Sequence, residues 1–142
     1  MNPSYQVEIT LLAVKSSDRE AINPPGADGK PAQSSPNYSS GIRVGNRLYV
    51  VGMVGSTANN KGDMKSQTRE SLNNIGRTIK AAGFDWSQVV EGLVYVTDVR
   101  QFQAMNEGYR ETFTKDFPAR TTVGIEIVIP DPLVEIMLTA VR

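Results

Sequence analysis

The chain has no histidine and no cysteine among its 142 residues. Without histidine, a serine–histidine–aspartate triad, a histidine general base and every histidine-containing zinc site are excluded. Without cysteine, disulfides, thiol nucleophiles and thiolate metal sites are excluded as well. Any chemistry must therefore use carboxylates, hydroxyls, lysine, arginine, backbone groups or bound water. The acidic residues show no metal-ligand spacing either, so we expect no metal site.

An excess of charge of either sign is also missing, because 15 Lys plus Arg face 15 Asp plus Glu. A neutral chain has no general attraction to nucleic acid or to anionic membranes, and we expect neither as a partner. The first apolar run, residues 7–14, is broken by Glu8 and is too short for a signal peptide or a membrane span. A cytoplasmic protein is therefore expected.

The length and composition are typical of one soluble domain, with 39% hydrophobic and 21% charged residues. We therefore expect a single domain over residues 1–142, divided into an N-terminal strand and extended loop (1–35) and a core (36–142). Residues 6–14 have the β-branched content of a strand. The polar stretch that follows is rich in proline and is interpreted as a long loop, a feature that is usually functional.

The core alternates short apolar runs with helical periodicity. Gly45-Asn46 between two β-branched runs predicts a hairpin. Apolar residues at helical spacing predict helices over 64–82 and 99–115, with Gly83 ending the first and Asp98 capping the second. The remaining apolar or alternating runs predict strands over 88–97, 121–129 and 133–141.

The order β, ββ, α, β, α, ββ predicts an α+β layer in which two helices cover one face of a mixed sheet. Each helix has a single apolar stripe, which can pack against one surface only. The two helices are therefore expected to cover one face of the sheet together. The other face is expected to carry Leu133, Met137 and Val141, and no third helix remains to cover them. Another subunit is the simplest cover for that face.

Two charged residues are candidates for chemistry. Arg120 stands in FPARTT, between a proline and two threonines, and its guanidinium stays charged and matches a carboxylate bidentately. Glu135 stands in the apolar run VEIMLTAV, where a carboxylate is costly unless it is paired, and it could bind and polarise a water molecule. The alternatives are a solvated charge or structural ion pair for Arg120, and a salt-bridge partner or edge charge for Glu135.

The predicted strands bear on whether these two residues can meet. If residues 121–129 and 133–141 form a tight hairpin centred near Asp131, Glu135 faces Ile127. Arg120 then lies about seven positions away, or roughly 23 Å. Cooperation between Arg120 and Glu135 would need a neighbouring subunit.

Several stretches, taken in order, resemble the RidA/YjgF family of small enamine/imine deaminases, an older label for which is the endoribonuclease L-PSP family. The stretches are YSSGIRVGNRLYVVG, QTRESLNNIGRTIKAAG, VVEGLVYVTDVRQFQAMNEGYRETF, FPARTTV and VEIMLTAVR. They run from Tyr38 to Arg142, about three quarters of the chain. The PAR element followed by a strand that bears a glutamate is the most specific part.

The resemblance implies a chorismate-mutase-like (YjgF-like) fold, a homotrimer with ligand clefts between subunits, and no cofactor. It implies hydrolysis of reactive 2-imino or enamine acids, of the 2-aminoacrylate type, to 2-keto acids and ammonia. The site residues that it implies are an arginine that holds the substrate carboxylate, a glutamate that positions water, and four further residues around the substrate. In this sequence they are Arg120, Glu135, Tyr38, Gly52, Asn106 and Thr122.

This sequence departs from the family pattern at three of the positions compared. Thr122 stands where many members have cysteine, and Val51 and Met53 replace the usual serine and glutamine, which predicts a more apolar wall. Such a wall leaves open a larger catabolic substrate, of the aminomuconate type or derived from a pyrimidine. A trimer that binds metabolites without catalysis is a further alternative. RNA cleavage is disfavoured by the neutral charge and the missing histidine.

Overall fold

The computed structural model describes residues 11–26 and 35–142. The described chain forms eight main elements: β1 (Glu20–Ile22), β2 (Gly41–Val44), β3 (Arg47–Val54), α1 (Met64–Ala81), β4 (Val89–Val96), α2 (Phe102–Arg110), β5 (Ala119–Gly124) and β6 (Val134–Val141). The strands form one mixed sheet in the order β1-β2-β3-β6-β4-β5. All neighbouring pairs are antiparallel except β4 and β5, which run parallel.

The predicted hairpin at Gly45-Asn46 and the predicted first helix are confirmed. Gly45 takes a φ of 55° in the turn between β2 and β3, a left-handed conformation that glycine adopts without strain. The Asp63 carboxylate caps α1 by accepting a hydrogen bond from the Ser66 N–H at 3.0 Å. Gly83 follows the end of α1 with a φ of 73°. The local signals for the turn and for both ends of the helix agree with the tertiary structure.

The N-terminal strand is placed differently from the prediction. Residues 6–10 of the predicted strand 6–14 lie outside the described residues, and residues 11–14 form no strand and are exposed. The first strand of the described chain is instead β1, which falls inside the stretch interpreted as a loop and pairs with β2. Arg43 of β2 forms an ion pair with Glu20 of β1. Pairing with β2 therefore accounts for this short strand better than the local sequence pattern does.

The second helix is shorter than predicted. A 3₁₀ turn over Val99–Gln101 precedes α2, and the Asp98 carboxylate accepts a hydrogen bond from the Arg100 N–H at 2.9 Å. The α-helix ends at Arg110, although the N–H of Phe113 still bonds the carbonyl of Tyr109 at 3.1 Å. The apolar periodicity therefore continues through tight turns at both ends of a nine-residue α-helix.

The predicted hairpin of strands 121–129 and 133–141 is wrong. Strand β5 ends at Gly124 and lies at the sheet edge beside β4, while β6 lies between β3 and β4. Just after β5, the Ile125 N–H still donates to the Val96 carbonyl of β4. The chain then leaves the sheet and returns to it as β6. Alternation of apolar residues predicted strand conformation correctly for part of this run, but alternation carries no information about the partner strand.

Both helices cover the same face of the sheet, as predicted. Val134, Ile136, Leu138 and Ala140 of β6 are buried on this helix-covered face, together with Leu72, Ile75 and Ile79 of α1. Glu135, Met137, Thr139 and Val141 alternate with them and are half-buried on the opposite face, here called the open face. Leu133 does not belong to the open face, because it precedes β6 and packs against the core.

A buried amide connects the first helix to the loops at the ends of β3 and β6. The side chain of Gln67 in α1 is fully buried. Its Nε2 donates to the carbonyls of Asn60 at 3.1 Å and Asp131 at 3.3 Å, and its Oε1 accepts from the Leu133 N–H at 2.8 Å. Asn60 in turn donates to the Gly55 carbonyl at 2.8 Å. Gln67 therefore sets the path of the chain just before Glu135 enters the sheet.

The hydrogen bonds of Gln67 predict a large cost when they are removed. We expect Gln67→Met, which keeps the size of the side chain, to lower the free energy of unfolding by about 3 kcal/mol, because buried backbone groups lose their partners. Urea unfolding at a fixed protein concentration measures this change.

Tyr109 provides the matched control, since its buried hydroxyl has no hydrogen-bond partner among the described residues. We expect Tyr109→Phe to leave the free energy of unfolding within about 0.5 kcal/mol of wild type, or to raise it. Equal destabilisation by the two substitutions would contradict the assignment of stability to the Gln67 hydrogen bonds.

Candidate active site

Arg120 lies on the edge strand β5, on the helix-covered face. In the parallel pairing of β4 and β5, Arg120 stands opposite Gly92. A Cβ atom at position 92 would lie 3.3 Å from the Tyr109 hydroxyl and 3.8 Å from the Arg120 Cγ. The missing side chain at Gly92 therefore leaves room for the stem of Arg120 and the ring of Tyr109 to lie over the sheet.

The guanidinium of Arg120 is held by residues of α2. Its Nη2 donates to the Asn106 Oδ1 at 2.7 Å, and its Nη1 lies 3.7 Å from the Met105 Sδ. The guanidinium carbon lies 4.6 Å from the centre of the Tyr109 ring and 5.6 Å from that of the Phe102 ring, which are cation–π distances. The predicted neighbours Arg120 and Asn106 are thus in direct contact.

Tyr109 acts as a neutral aromatic surface beside this charge. Burial raises the pKa of its hydroxyl to about 12, and the positive charge of Arg120 opposes that rise. The ring also stacks on Phe113, with the ring centres 4.7 Å apart. Tyr109 is therefore protonated at ordinary pH, and it leaves the charge of Arg120 available to an anion from outside the chain.

A cleft of about 410 Å³ opens beside the guanidinium. It is called the arginine cleft, and its lining residues are Phe102, Asn106, Tyr109, Arg110, Phe117, Pro118 and Arg120. Thr122 follows two positions after Arg120 on the same face of β5, and its buried Oγ1 has no hydrogen-bond partner within the described chain. Three of the predicted site residues, Arg120, Asn106 and Thr122, thus lie on the same side of the sheet.

Glu135 and Gly52 form a second group on the open face. Glu135 stands beside Tyr95 of β4 and Val54 of β3. An irregularity in the pairing between Val50 and Met53 brings Gly52 under its side chain, and a Cβ atom at position 52 would overlap the carboxylate. Gly52 is therefore the residue that lets the carboxylate of Glu135 lie against the backbone of β3.

The sheet separates Glu135 from Arg120. Glu135 pairs with Tyr95 of β4, and Arg120 pairs with Gly92 of the same strand. The two residues are therefore three positions apart along the strand direction, and they lie on strands that are separated by β4. These offsets correspond to roughly 10 Å in each direction. The predicted pairing of Glu135 with Ile127 is wrong, and so is the separation derived from it. Because the side chains point to opposite faces, they do not meet within one chain.

Tyr38 lies at a third place. It precedes β2, far across the sheet from β5, and 61% of its surface is exposed. Tyr38 and Val51 line a broad cleft of about 740 Å³. Met53 does not form an apolar wall there, since it packs against the core on the helix-covered face. In one chain the predicted site residues therefore fall into three groups.

Two exposed aromatic residues of the arginine cleft are among the lining residues that were not predicted as site residues. Phe102 begins α2 and was interpreted as part of its apolar stripe, and Phe117 directly precedes the PAR element. Both rings are exposed, at 43% and 54% of their surface. The available signal was that Phe117 stands three positions before Arg120, but only the fold brings both rings to one cleft.

Within residues 11–26 and 35–142, no three histidine, cysteine, aspartate or glutamate side chains come close enough together to hold a metal ion. The same part of the chain contains no helix with the length and apolar character needed to cross a membrane. The chemical groups of the candidate site are a fixed guanidinium, a carboxylate over a glycine, a threonine hydroxyl and aromatic rings.

Comparison with known proteins supports a single family. The sequence model of the endoribonuclease L-PSP family matches residues 30–142. A RutC family protein of Sulfurisphaera tokodaii is 42% identical over 103 residues, which cover 70% of this chain and 82% of that protein. A 2-iminobutanoate/2-iminopropanoate deaminase of Capra hircus is 32% identical over 116 residues, or 79% and 84% of the two chains.

Solved structures support the same conclusion at the level of the fold. The YjgF gene product of E. coli superposes with a TM-score of 0.71 at 30% identity, covering 87% of this chain and 98% of that one. E. coli TdcF, solved with bound serine, superposes with a TM-score of 0.72 at 26% identity and covers the same shares. The family resemblance drawn from the ordered sequence stretches is confirmed, and the chain belongs to the endoribonuclease L-PSP family, which is the YjgF/RidA family.

Proposed function

We propose that the protein hydrolyses reactive 2-imino and enamine acids to 2-keto acids and ammonia. The observation that carries this proposal is the guanidinium of Arg120, which lines a cleft and is fixed by Asn106 and two aromatic rings. A relative at 32% identity is named 2-iminobutanoate/2-iminopropanoate deaminase. A structural relative was solved with serine, an amino acid that carries the carboxylate such a site would hold.

Arg120 is suited to hold the substrate carboxylate. A guanidinium has five N–H donors, and Asn106 accepts from one of them. The remaining donors can form a bidentate pair with a carboxylate. Because the neighbouring rings and Asn106 already restrict the guanidinium, little further ordering is needed when an anion binds. Backbone N–H groups near Thr122 would orient the same carboxylate.

The reaction needs little more than water delivered to an electrophilic carbon. In the proposed reaction Glu135 accepts a proton from water, and the water oxygen adds to the carbon of the C=N bond to form a carbinolamine. The proton held by Glu135 and then the hydroxyl proton of the carbinolamine pass to the nitrogen, the C–N bond breaks, and ammonia leaves as the C=O bond forms. Water supplies every atom gained, so the scheme uses no cofactor, and it accords with a chain that lacks histidine and cysteine.

The separation of Arg120 from Glu135 supports an arrangement in which two copies share each site. One copy would supply Arg120, Asn106 and Thr122, and a neighbouring copy would supply Glu135 and Gly52, with Tyr38 closing the cleft. The half-buried apolar residues of the open face, such as Met137 and Val141, support the same arrangement. We propose a homotrimer in the cytoplasm as the working assembly.

Two other functions remain as alternatives. The size of the arginine cleft favours a larger catabolic substrate over a three-carbon acid. A trimer that only binds metabolites is the second alternative. Calorimetry with 2-keto acids, run beside an assay of ammonia release, separates catalysis from binding: heat on mixing without turnover of any imine would support the binding function.

Loss of Arg120 should weaken the reaction strongly. We expect Arg120→Ala to lower kcat/KM for a 2-imino acid by about 10- to 150-fold, the loss of a hydrogen-bonded charge. Arg120→Lys keeps the positive charge but lacks the planar fork of donors, so its kcat/KM should lie between that of the wild type and that of Arg120→Ala. The assay follows ammonia release from an amino acid and a dehydratase, against a buffer control.

Arg100 is the matched control for this substitution. It is an exposed arginine whose guanidinium bonds to Asp98, and Arg100→Ala should leave kcat/KM unchanged. Undiminished acceleration by Arg120→Ala would remove the carboxylate anchor from the proposal.

Substitutions at Glu135 and Gly52 should both act on the attacking water. We expect Glu135→Gln to lower kcat by about 100-fold or more, with a smaller change in KM. Gly52→Ala should lower kcat by about 100-fold as well, because the new Cβ displaces the Glu135 carboxylate. The flexible end of a glutamate can move aside, so the Tm of Gly52→Ala should stay near that of wild type.

Glu70→Gln on α1 is the matched control, since the Glu70 carboxylate accepts a hydrogen bond from Asn73 on the same helix, away from the predicted site residues. It should retain wild-type kcat. A Gly52→Ala enzyme with wild-type kcat would argue against a catalytic role for the Glu135 carboxylate at its observed position.

A further inference from the structure

Two phenylalanine side chains are exposed on either side of the arginine cleft. Phe102 exposes 43% of its surface and Phe117 exposes 54%. Both line the cleft that Arg120 also lines, and the buried ring of Tyr109 contributes to the same lining. Large apolar groups that gather in one cleft differ from scattered surface residues, because they create a concave apolar surface beside the polar groups of Arg120, Asn106 and Arg110.

The two rings are held in place by the elements that carry them. Phe102 is the first residue of α2, and its ring centre lies 5.6 Å from the guanidinium carbon of Arg120. Phe117 precedes Pro118, and a residue before proline has a restricted backbone. The next residue after that proline begins β5, so three positions separate Phe117 from Arg120. The backbone therefore places both residues beside the charge, and the Phe102 ring lies within cation–π distance of it.

The size of the arginine cleft also indicates more than a minimal substrate. Its volume of about 410 Å³ lies within the range of pockets that hold drug-sized ligands. A three-carbon imino acid bound to Arg120 would leave the rings of Phe102 and Phe117 in contact with water. An acid with an aromatic or branched apolar side chain would remove that apolar surface from water, which is favourable in proportion to the area buried.

We infer, on the basis of the proposed function, that the preferred substrates are 2-imino acids with an aromatic or branched apolar side chain, which Phe102 and Phe117 contact while Arg120 holds the carboxylate. Phe102 and Phe117 are then specificity-determining residues. They act on the side chain of the substrate and leave the reacting carbon to the groups already described.

The test compares imines that share a reacting centre and differ in side chain. An L-amino-acid oxidase generates the 2-imino acids of L-phenylalanine, L-leucine and L-alanine in place, and semicarbazide competes with the enzyme for each of them. We expect kcat/KM for the phenylalanine imine to exceed that for the alanine imine by roughly tenfold or more. Phe117→Ala should lower it about fivefold to tenfold for the phenylalanine imine and less than twofold for the alanine imine. Phe102→Ala also removes a ring that restrains Arg120, so it should lower both rates, and by the larger factor for the phenylalanine imine.

Two controls keep the outcome interpretable. Val128→Ala removes an exposed apolar side chain (99% of its surface) outside the arginine cleft, and it should change neither rate. Phe117→Leu preserves the apolar character without the ring and provides a folded variant if Phe117→Ala proves unstable. It should lower the rate for the phenylalanine imine and spare that for the leucine imine.

Each result bears on one of the two proposals. Faster turnover of the alanine imine, or an equal loss on all three imines in the phenylalanine variants, would overturn the inference and leave the proposed hydrolysis intact. An equal loss would mean that a neighbouring copy, not a substrate, covers the rings. Failure to accelerate hydrolysis of any imine would overturn the proposed function and the inference with it.

Discussion

The candidate site is organised by the guanidinium of Arg120, a charge that is kept at the edge of an apolar layer. Its aliphatic stem crosses the sheet above Gly92, and the charged end reaches Asn106 and the rings of α2. Burial of Tyr109 beside it raises the pKa of that hydroxyl to about 12, so Tyr109 is protonated and does not neutralise Arg120. A half-buried, fixed cation of this kind is suited to bind an anion from outside.

The sheet imposes the second constraint. Both helices lie on the face that holds Arg120, and Glu135 lies on the other face with its carboxylate over Gly52. Side chains of one strand alternate between faces, so no rotation of either side chain brings them together within a chain. A second copy that presents its open face to the arginine cleft would both complete the site and cover half-buried apolar surface. The same contact would thus serve folding and function.

The elements that depend on local chemistry could be predicted from the sequence. The capped helix over Met64–Ala81 and the glycine turn at Gly45 are examples, since their signals lie within a few residues. The position of β6 between β3 and β4 could not be predicted. Alternation in the runs 121–129 and 133–141 indicates strand conformation, but it does not say which strands pair. At the site, the resemblance implied that Arg120 and Asn106 belong to one cleft, whereas their hydrogen bond and the exposed rings of Phe102 and Phe117 emerge only from the packing of α2 against β5.

The most direct test of a shared site is complementation between two inactive variants. Arg120→Ala and Glu135→Gln chains are unfolded together, refolded as a mixture and assayed for hydrolysis of a 2-imino acid. If each site takes Arg120 from one copy and Glu135 from the next, random assembly should restore about a quarter of the wild-type activity per chain. A mixture that is as inactive as the two separate variants would contradict a site shared between copies.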